Sequence, residues 1–142
     1  MCLKRMDSHG GPVSMECWKV VRTTVRKDRF YSPLYYEADF ILGEWSGVSG
    51  FERVPLPWDD ESPGTHRSYV VGFHAYTNLR DAMDALRSYR RHYGSRVALV
   101  RATMQEITAI GVEDIECRGK RGKYREVEVV VGRLIHIEEV VA

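Results

Sequence analysis

The stretch Val70–Met104, VVGFHAYTNLRDAMDALRSYRRHYGSRVALVRATM, decides the fold of this chain. It predicts a strand that leads into the segment Gly72–Tyr76, then a helix over about 78–93, then a second strand over 96–104. The remaining sequence is typical of strands and loops. One helix among several strands favours an α+β architecture, a mostly antiparallel twisted sheet packed on one main helix.

The predicted helix has a start, an apolar stripe and a stop. Asn78 is a good N-cap, and Asp81 places a carboxylate where the exposed N–H groups of the first turn favour one. Basic residues crowd the last turns, and Gly94 is the expected left-handed cap. The stripe predicted to be buried follows helical spacing: Leu79, Ala82, Met83, Leu86, Tyr89 and Tyr93.

The segments around this passage predict the strands of the sheet. In Tyr124–Val131 the residue types alternate with period two, as in a half-buried strand. If Val129–Val131 or the terminal strand lies at a sheet edge, either would pair with a second chain, which allows a homodimer. Strands are predicted over 17–25, 38–42, 96–104, 107–112, 124–131 and 133–141, with Gly132 breaking the last two apart.

Length and charge place the chain in a broad class. At 142 residues it fits one domain, predicted over 15–142 and preceded by a flexible arm over 1–14. The formal net charge of +1 argues against a protein whose main task is to coat nucleic acid. No apolar run is long enough to cross a bilayer or to form a leader. We therefore expect a cytoplasmic protein (the host cytoplasm if its origin is viral) without a membrane partner.

Catalytic and metal-binding motifs are not found in the sequence. Cys2, Cys17 and Cys117 are odd in number and far apart, which indicates neither a disulfide framework nor a zinc site. P-loop, dinucleotide-binding and nucleophile-elbow patterns are missing as well. The sequence therefore predicts no metal, no cofactor and no catalytic residue, and it favours a binding protein over an enzyme.

Two segments predict a binding surface. The first is 72–77, where His74 and Tyr76 are candidate ligand-binding residues, although a histidine in a strand is more often partly buried and bonded to nearby backbone. The second is 46–69, a long irregular connection rich in proline and glycine, and such loops are more often functional than accidental. Aromatic residues near these segments predict either a platform for stacking bases or anchors of core and loop: Tyr31, Tyr35, Tyr36, Trp45 and Trp58.

A basic turn follows later in the chain. The segment 118–125 holds five cations and two glycines, a composition that suits a phosphate group, a nucleotide or an RNA backbone. It equally suits a solvated hairpin tip, in which glycines supply the positive φ of the turn. The candidate residues are Arg118, Lys120, Arg121, Lys123 and Arg125.

The order of motifs resembles a group of small phage and prophage proteins, most of them uncharacterised. The shared pattern comprises an opening strand, an aromatic segment, a Gly-Trp region, the Gly-Phe-His-x-Tyr motif before an alanine-containing helix, and a basic then valine-rich hairpin. The resemblance implies a viral or mobile-element origin. Here the motifs are Trp18–Arg22, Tyr31–Pro33, Gly43–Trp45, Gly72–Tyr76, Ala82 with Ala85, and Lys123–Val131.

A second resemblance is to ADP-ribosyltransferase-type domains. Gly72–Thr77 is similar to the strand that precedes a helix beneath the nicotinamide pocket of that family. Arg22, at the end of the first strand, would supply the arginine of one branch. The family pattern places a Glu-x-Glu pair ahead of a strand. Here Glu126 and Glu128 lie inside a predicted strand instead. This resemblance implies the strand-to-helix topology and, as an alternative function, a nucleotide-binding enzyme that uses NAD.

Three functions follow in order of preference. The first is a small binding protein of viral or mobile-element type that contacts an unknown protein or a nucleotide through 46–69 and 72–77. The second is the ADP-ribosyltransferase-like or other nucleotide-binding enzyme, and the third is weak RNA binding through the 118–125 hairpin. The candidate ligand-binding residues for the first two are His74, Tyr76, Arg22, Tyr36, Trp45 and Trp58.

Overall fold

A computed structural model of the protein describes residues 3–23, 28–32, 39–56 and 68–142. Within these ranges most residues lie in strands and one helix is present, which confirms the predicted α+β class. The elements are β1 (Arg5–His9), β2 (Ser14–Thr23), β3 (Arg29–Tyr31), β4 (Asp39–Ile41), β5 (Trp45–Gly47), β6 (Arg53–Pro55), β7 (Ser68–Val70), β8 (Phe73–Tyr76), α1 (Leu79–Tyr93), β9 (Val97–Glu116) and β10 (Tyr124–Val140).

Four strands form a closed ring of antiparallel pairings, in the order β2, β9, β10, β8 and back to β2. The last link joins Trp18 of β2 to Tyr76 of β8. β1 extends the ring from β9, β3 and β4 extend it from β2, and β5 pairs with β10. Val129–Val131 has β8 on one side and β9 on the other. This segment is therefore not a sheet edge, and it cannot provide the predicted homodimer contact.

β9 and β10 are each longer than the sequence predicts. The break between two strands that was expected between 104 and 107 is absent, because β9 continues through these residues. Glu106 has a positive φ of 51° there. Gly132 does not break β10 either. A Cβ at Gly132 would lie 2.6 Å from Sδ of Met104 and 2.9 Å from the backbone oxygen of Gln105. Gly132 is thus needed for the close approach of the two strands, and the predicted breaks are wrong.

The buried apolar residues form two clusters. In the first, Ala82, Ala85 and Leu86 of α1 pack with side chains such as Leu99 and Val129. The second includes Phe30, Phe40, Val130 and Ile135, and it contains no helix residue. Helix-on-sheet packing therefore accounts for only one of the two clusters.

The helix itself is close to the prediction. Oδ1 of Asn78 accepts hydrogen bonds from the N–H groups of Arg80 and Asp81, at 2.9 and 3.3 Å. At the other end Gly94 has a φ of 74°, and its N–H donates to the backbone oxygen of Arg90. The predicted stripe is wrong at its ends, because Leu79 and Tyr93 are 40% and 41% exposed while Ala85 is buried.

The N-terminal segment differs from the flexible arm predicted over 1–14. β1 pairs with β9, and Leu3 and Met6 are buried in the first apolar cluster, the one that includes the helix residues. A strand at the border of a sheet needs few apolar side chains, so its sequence shows no clear period. The described part of the arm, from residue 3 onward, is thus an ordered part of the sheet.

The connection 46–69 also contains regular structure. Its described parts include most of β5, all of β6 and the start of β7, and β6 pairs with β7 in a separate two-stranded sheet. The candidate residues Tyr35, Tyr36 and Trp58 lie outside the described residues. Within the described ranges, no helix combines the length and the apolar character needed to cross a membrane.

Candidate functional site

A groove with a volume of about 620 Å³ lies between α1 and the C-terminal end of β9. We call it the tyrosine groove, since tyrosines from three elements line it: Tyr76 of β8, Tyr89 and Tyr93 of α1, and Tyr124 of β10. The rings of Tyr89 and Tyr93 stack, with centroids 6.0 Å apart and planes inclined by 21°. Tyr76 is buried, whereas Tyr124 is 62% exposed. The aromatic surface accessible in the groove is therefore that of Tyr89, Tyr93 and Tyr124, while Tyr76 is buried at its base.

Glu113 contributes a buried carboxyl group to the groove. The residue is only 5% exposed, and its Oε2 has no hydrogen-bond partner among the described residues. Burial raises the pKa of Glu113 to about 7, although a hydrogen bond with Tyr76 and the charge of Lys19 act in the opposite direction. Near neutral pH this carboxyl group therefore exists in both its charged and its neutral form.

The two other carboxylates of the groove are already engaged in ion pairs. Asp114 lies 3.3 Å from Nζ of Lys4, and Glu116 lies 2.9 Å from a guanidinium nitrogen of Arg91. Both pairs reduce the negative charge that an incoming ligand would meet. Glu113 is the lining carboxyl group that forms no ion pair among the described residues, and its buried Oε2 has no hydrogen-bond partner there.

The basic turn continues directly from the groove. Glu116 and Tyr124 both line the groove and are paired across β9 and β10. The connection between them is closed by the N–H of Cys117, which donates to the backbone oxygen of Lys123 at 2.7 Å. Four exposed cations of this turn form no ion pair within the described part of the chain: Arg118, Lys120, Arg121 and Lys123.

Arg125, the fifth cation predicted for this surface, has a different position. Its guanidinium lies 2.8 Å from the carboxylates of both Asp81 and Asp84. It therefore ties the start of β10 to α1, and its charge is less available to a ligand. Gly119 and Gly122 have φ values of 71° and 73°. This conformation agrees with the prediction that the glycines allow the tight turn.

His74 lies outside the lining of the groove. It is 8% exposed, and its Nε2 is 3.5 Å from the hydroxyl of Tyr69. Burial lowers the pKa of His74 to about 3, and the charge of Lys19 lowers it further. Nζ of Lys19 donates a 2.7 Å hydrogen bond to the backbone oxygen of His74. His74 is therefore a neutral residue of the protein interior.

The other candidates from the sequence fall in two places. Tyr76 lies in the groove, and the guanidinium of Arg22 is 5.8 Å from the ring centroid of Tyr93, a groove residue. Trp45 is elsewhere, 48% exposed and 5.2 Å from the ring of His136. Tyr76 therefore lines the groove, Arg22 contacts a groove residue and the basic residues of the turn lie beyond the end of the groove, whereas Trp45 lies elsewhere.

The sequence reasoning missed three buried charged residues: Lys19, Glu113 and Arg133. Lys19 alternates with Cys17 and Val21, both fully buried, so the period of β2 indicated its burial. Glu113 precedes the buried Ile115 by two positions, the spacing of one strand face. That signal was lost because the predicted strand ended at Val112.

A scan against protein-family models and searches of curated proteins and of solved structures found no match to this chain. The resemblances to phage proteins and to ADP-ribosyltransferase-type domains therefore stay predictions.

Proposed function

We propose that this protein is a nucleotide-binding domain that holds a base in the tyrosine groove and a phosphate at the basic turn. One observation carries the proposal. The groove ends at the paired residues Glu116 and Tyr124, and the four unpaired cations begin immediately beyond them. An aromatic cleft that continues into free positive charge matches the two chemically different halves of a nucleotide.

The lining of the groove suits a flat ring. Tyrosine side chains offer faces on which bases stack, and such stacking contributes about 1–3 kcal/mol per base. The segment 72–77, predicted from the sequence as a binding surface, contributes Tyr76 to the base of the groove. α1 provides one wall through Tyr89 and Tyr93, so the packing of this helix on the sheet creates the cleft.

The turn suits a phosphate group. Its cations are exposed and have no carboxylate partner in the described ranges, so they keep their full charge for a ligand. The ion pairs of Asp114 with Lys4 and of Glu116 with Arg91 limit repulsion at the near end of the groove. Backbone N–H groups in a glycine-containing turn add further donors for an anion.

The test compares AMP with adenosine by isothermal titration calorimetry. Lys120→Ser combined with Arg121→Ser should weaken AMP binding by roughly tenfold, since each lost charge-assisted contact contributes about 0.7 kcal/mol at an exposed site. Adenosine binding should stay unchanged. The control removes two exposed cations from other surfaces, Arg29→Ser with Arg80→Ser, and should leave both affinities as they were.

Two outcomes would contradict the proposal. One is equal loss of AMP binding in the turn variant and in the control, which would indicate a general effect of net charge. The other is that AMP, GMP, CMP and UMP all fail to bind. If a short single-stranded RNA then bound through the turn, the RNA-binding alternative would replace the proposal.

A further inference from the structure

We infer that Glu113 gives the tyrosine groove a preference for bases that carry an exocyclic amino group. The inference rests on the proposed nucleotide binding and names the class of base. It starts from the unusual position of this carboxyl group, which is almost fully buried, lines a groove and keeps one oxygen without a partner in the described structure.

A buried polar atom without a partner is costly, and native structures rarely keep one without a reason. An incoming N–H group would supply the missing hydrogen bond to Oε2 of Glu113. The hydroxyl of Tyr76 already bonds this carboxyl group, which fixes its orientation. The site is thus complementary to a donor at the edge of a ring, and the tyrosines around it are complementary to the face of that ring.

Adenine and cytosine carry an amino group of this kind, and carboxylates accept hydrogen bonds from such groups in nucleic-acid recognition. A base without the amino group would leave Oε2 buried and unpaired. Sites built to hydrogen-bond a ligand group discriminate strongly against the analogue that lacks it, because their own polar atoms are then left unsatisfied.

The selectivity should depend on pH, because the charged carboxylate is the stronger acceptor. The pKa of Glu113 is raised to about 7, so the carboxylate gains population between pH 6 and pH 7.5. Four titratable groups face Glu113: Tyr76 of β8, Tyr89 of α1, Lys19 of β2 and Asp114 of β9. His92 of α1 also lines the groove.

The experiment measures affinities for two pairs of ligands that differ in one group. AMP is compared with purine ribonucleoside 5′-monophosphate, and CMP with pyrimidin-2-one ribonucleoside 5′-monophosphate. The wild-type protein should bind the tighter of the two amino nucleotides about tenfold more strongly than its analogue at pH 7.5. The ratio should fall to about threefold at pH 6, where much of Glu113 is protonated.

Two variants separate Glu113 from its neighbours. In Glu113→Leu, which removes the acceptor but keeps an apolar side chain of similar bulk, the ratio should be about 1 at both pH values. In Glu113→Gln the ratio should become independent of pH. Both variants retain His92, so a pH dependence that survives in them would assign the effect to another group. Thermal unfolding of each variant confirms that it is folded.

The possible failures can be distinguished. If the amino nucleotides and their analogues bind the wild-type protein equally, the inference about Glu113 is wrong and the proposed function stands. If Glu113→Leu keeps the wild-type ratio, the inference is also wrong. If UMP binds while AMP and CMP do not, the inference is wrong, and if AMP, GMP, CMP and UMP all fail to bind, the proposed function itself fails.

Discussion

The two halves of β9 lie in different surroundings. The first half, 97–105, pairs with β2 along its whole length, and its residues 100–105 also pair with β10 on the other side. Side chains of this half belong to both apolar clusters. The second half has β10 on one side, but β1 covers only 109–112 of its other side. Residues 113–116 therefore pair with β10 alone, and here the tyrosine groove opens.

This difference shows where the chain can place charge. Val97, Leu99 and Val100 of the first half are buried apolar side chains, and its charged residue Arg101 is ion-paired with Glu16 and Glu139. Glu113, Asp114 and Glu116 occur where the second neighbouring strand is missing and a groove takes its place. The closed half of the strand stabilises the fold, and the open half carries the candidate site.

The largest predicted effect contrasts one buried side chain from each half. Leu99→Ala should lower the free energy of unfolding by roughly 2–5 kcal/mol, because it leaves a cavity in a closed cluster. Ile115→Ala should cost less, since the space it frees joins the existing groove. Urea denaturation measures both costs, and titration with AMP should show weaker binding for Ile115→Ala only. Equal costs for the two variants would contradict the contrast.

A smaller and pH-dependent effect comes from Glu113. Its pKa is about 7 in the folded protein against an ordinary value of 4.5. Between pH 4.5 and pH 7 the folded state therefore keeps a proton on Glu113 that the unfolded state has released. Stability attributable to this group is therefore lost as the pH rises from about 4.5 to 7. Well above pH 7 the charged carboxylate lowers the free energy of unfolding by its full amount, on the order of 3 kcal/mol.

Glu113→Gln removes this penalty while keeping the size of the side chain. The variant should be more stable than the wild type at pH 8 by up to about 3 kcal/mol, and at pH 5 by only about 1 kcal/mol or less. Urea denaturation at the two pH values measures the difference. Glu126→Gln, on the exposed face of β10, is a suitable comparison, and it should not reproduce the gain at pH 8. A gain for Glu113→Gln that is the same at both pH values would contradict the assigned burial of the carboxylate.

The parts of the fold that depend on local rules were predictable from the sequence. Asn78 and Gly94 cap the helix as expected, because capping involves neighbouring residues only. The alternation of Tyr124–Val131 predicted a strand for the same reason. Glu106 and Gly132 misled the prediction, since their positions are explained by the fit of β9 against β10, which no local pattern reveals.

The candidate site was predictable in fragments. Tyr76, Arg22 and the cations of the turn were named from the sequence. Nothing in their spacing showed that Tyr76 would line a groove, that Arg22 would contact its residue Tyr93, or that the cations would follow its end. Glu113 was missed because the predicted strand ended at Val112, one residue before it. Its burial results from α1 and Tyr76, which are distant in sequence.

The most direct test of the groove and turn as the binding site is NMR mapping with AMP on the isotope-labelled protein. The resonances of Tyr89, Ile115, Tyr124 and the amides of 118–123 should shift, while those of Trp45 and of the closed half of β9 should not. Shifts centred on Trp45, with the groove and the turn unchanged, would contradict the assignment of the site.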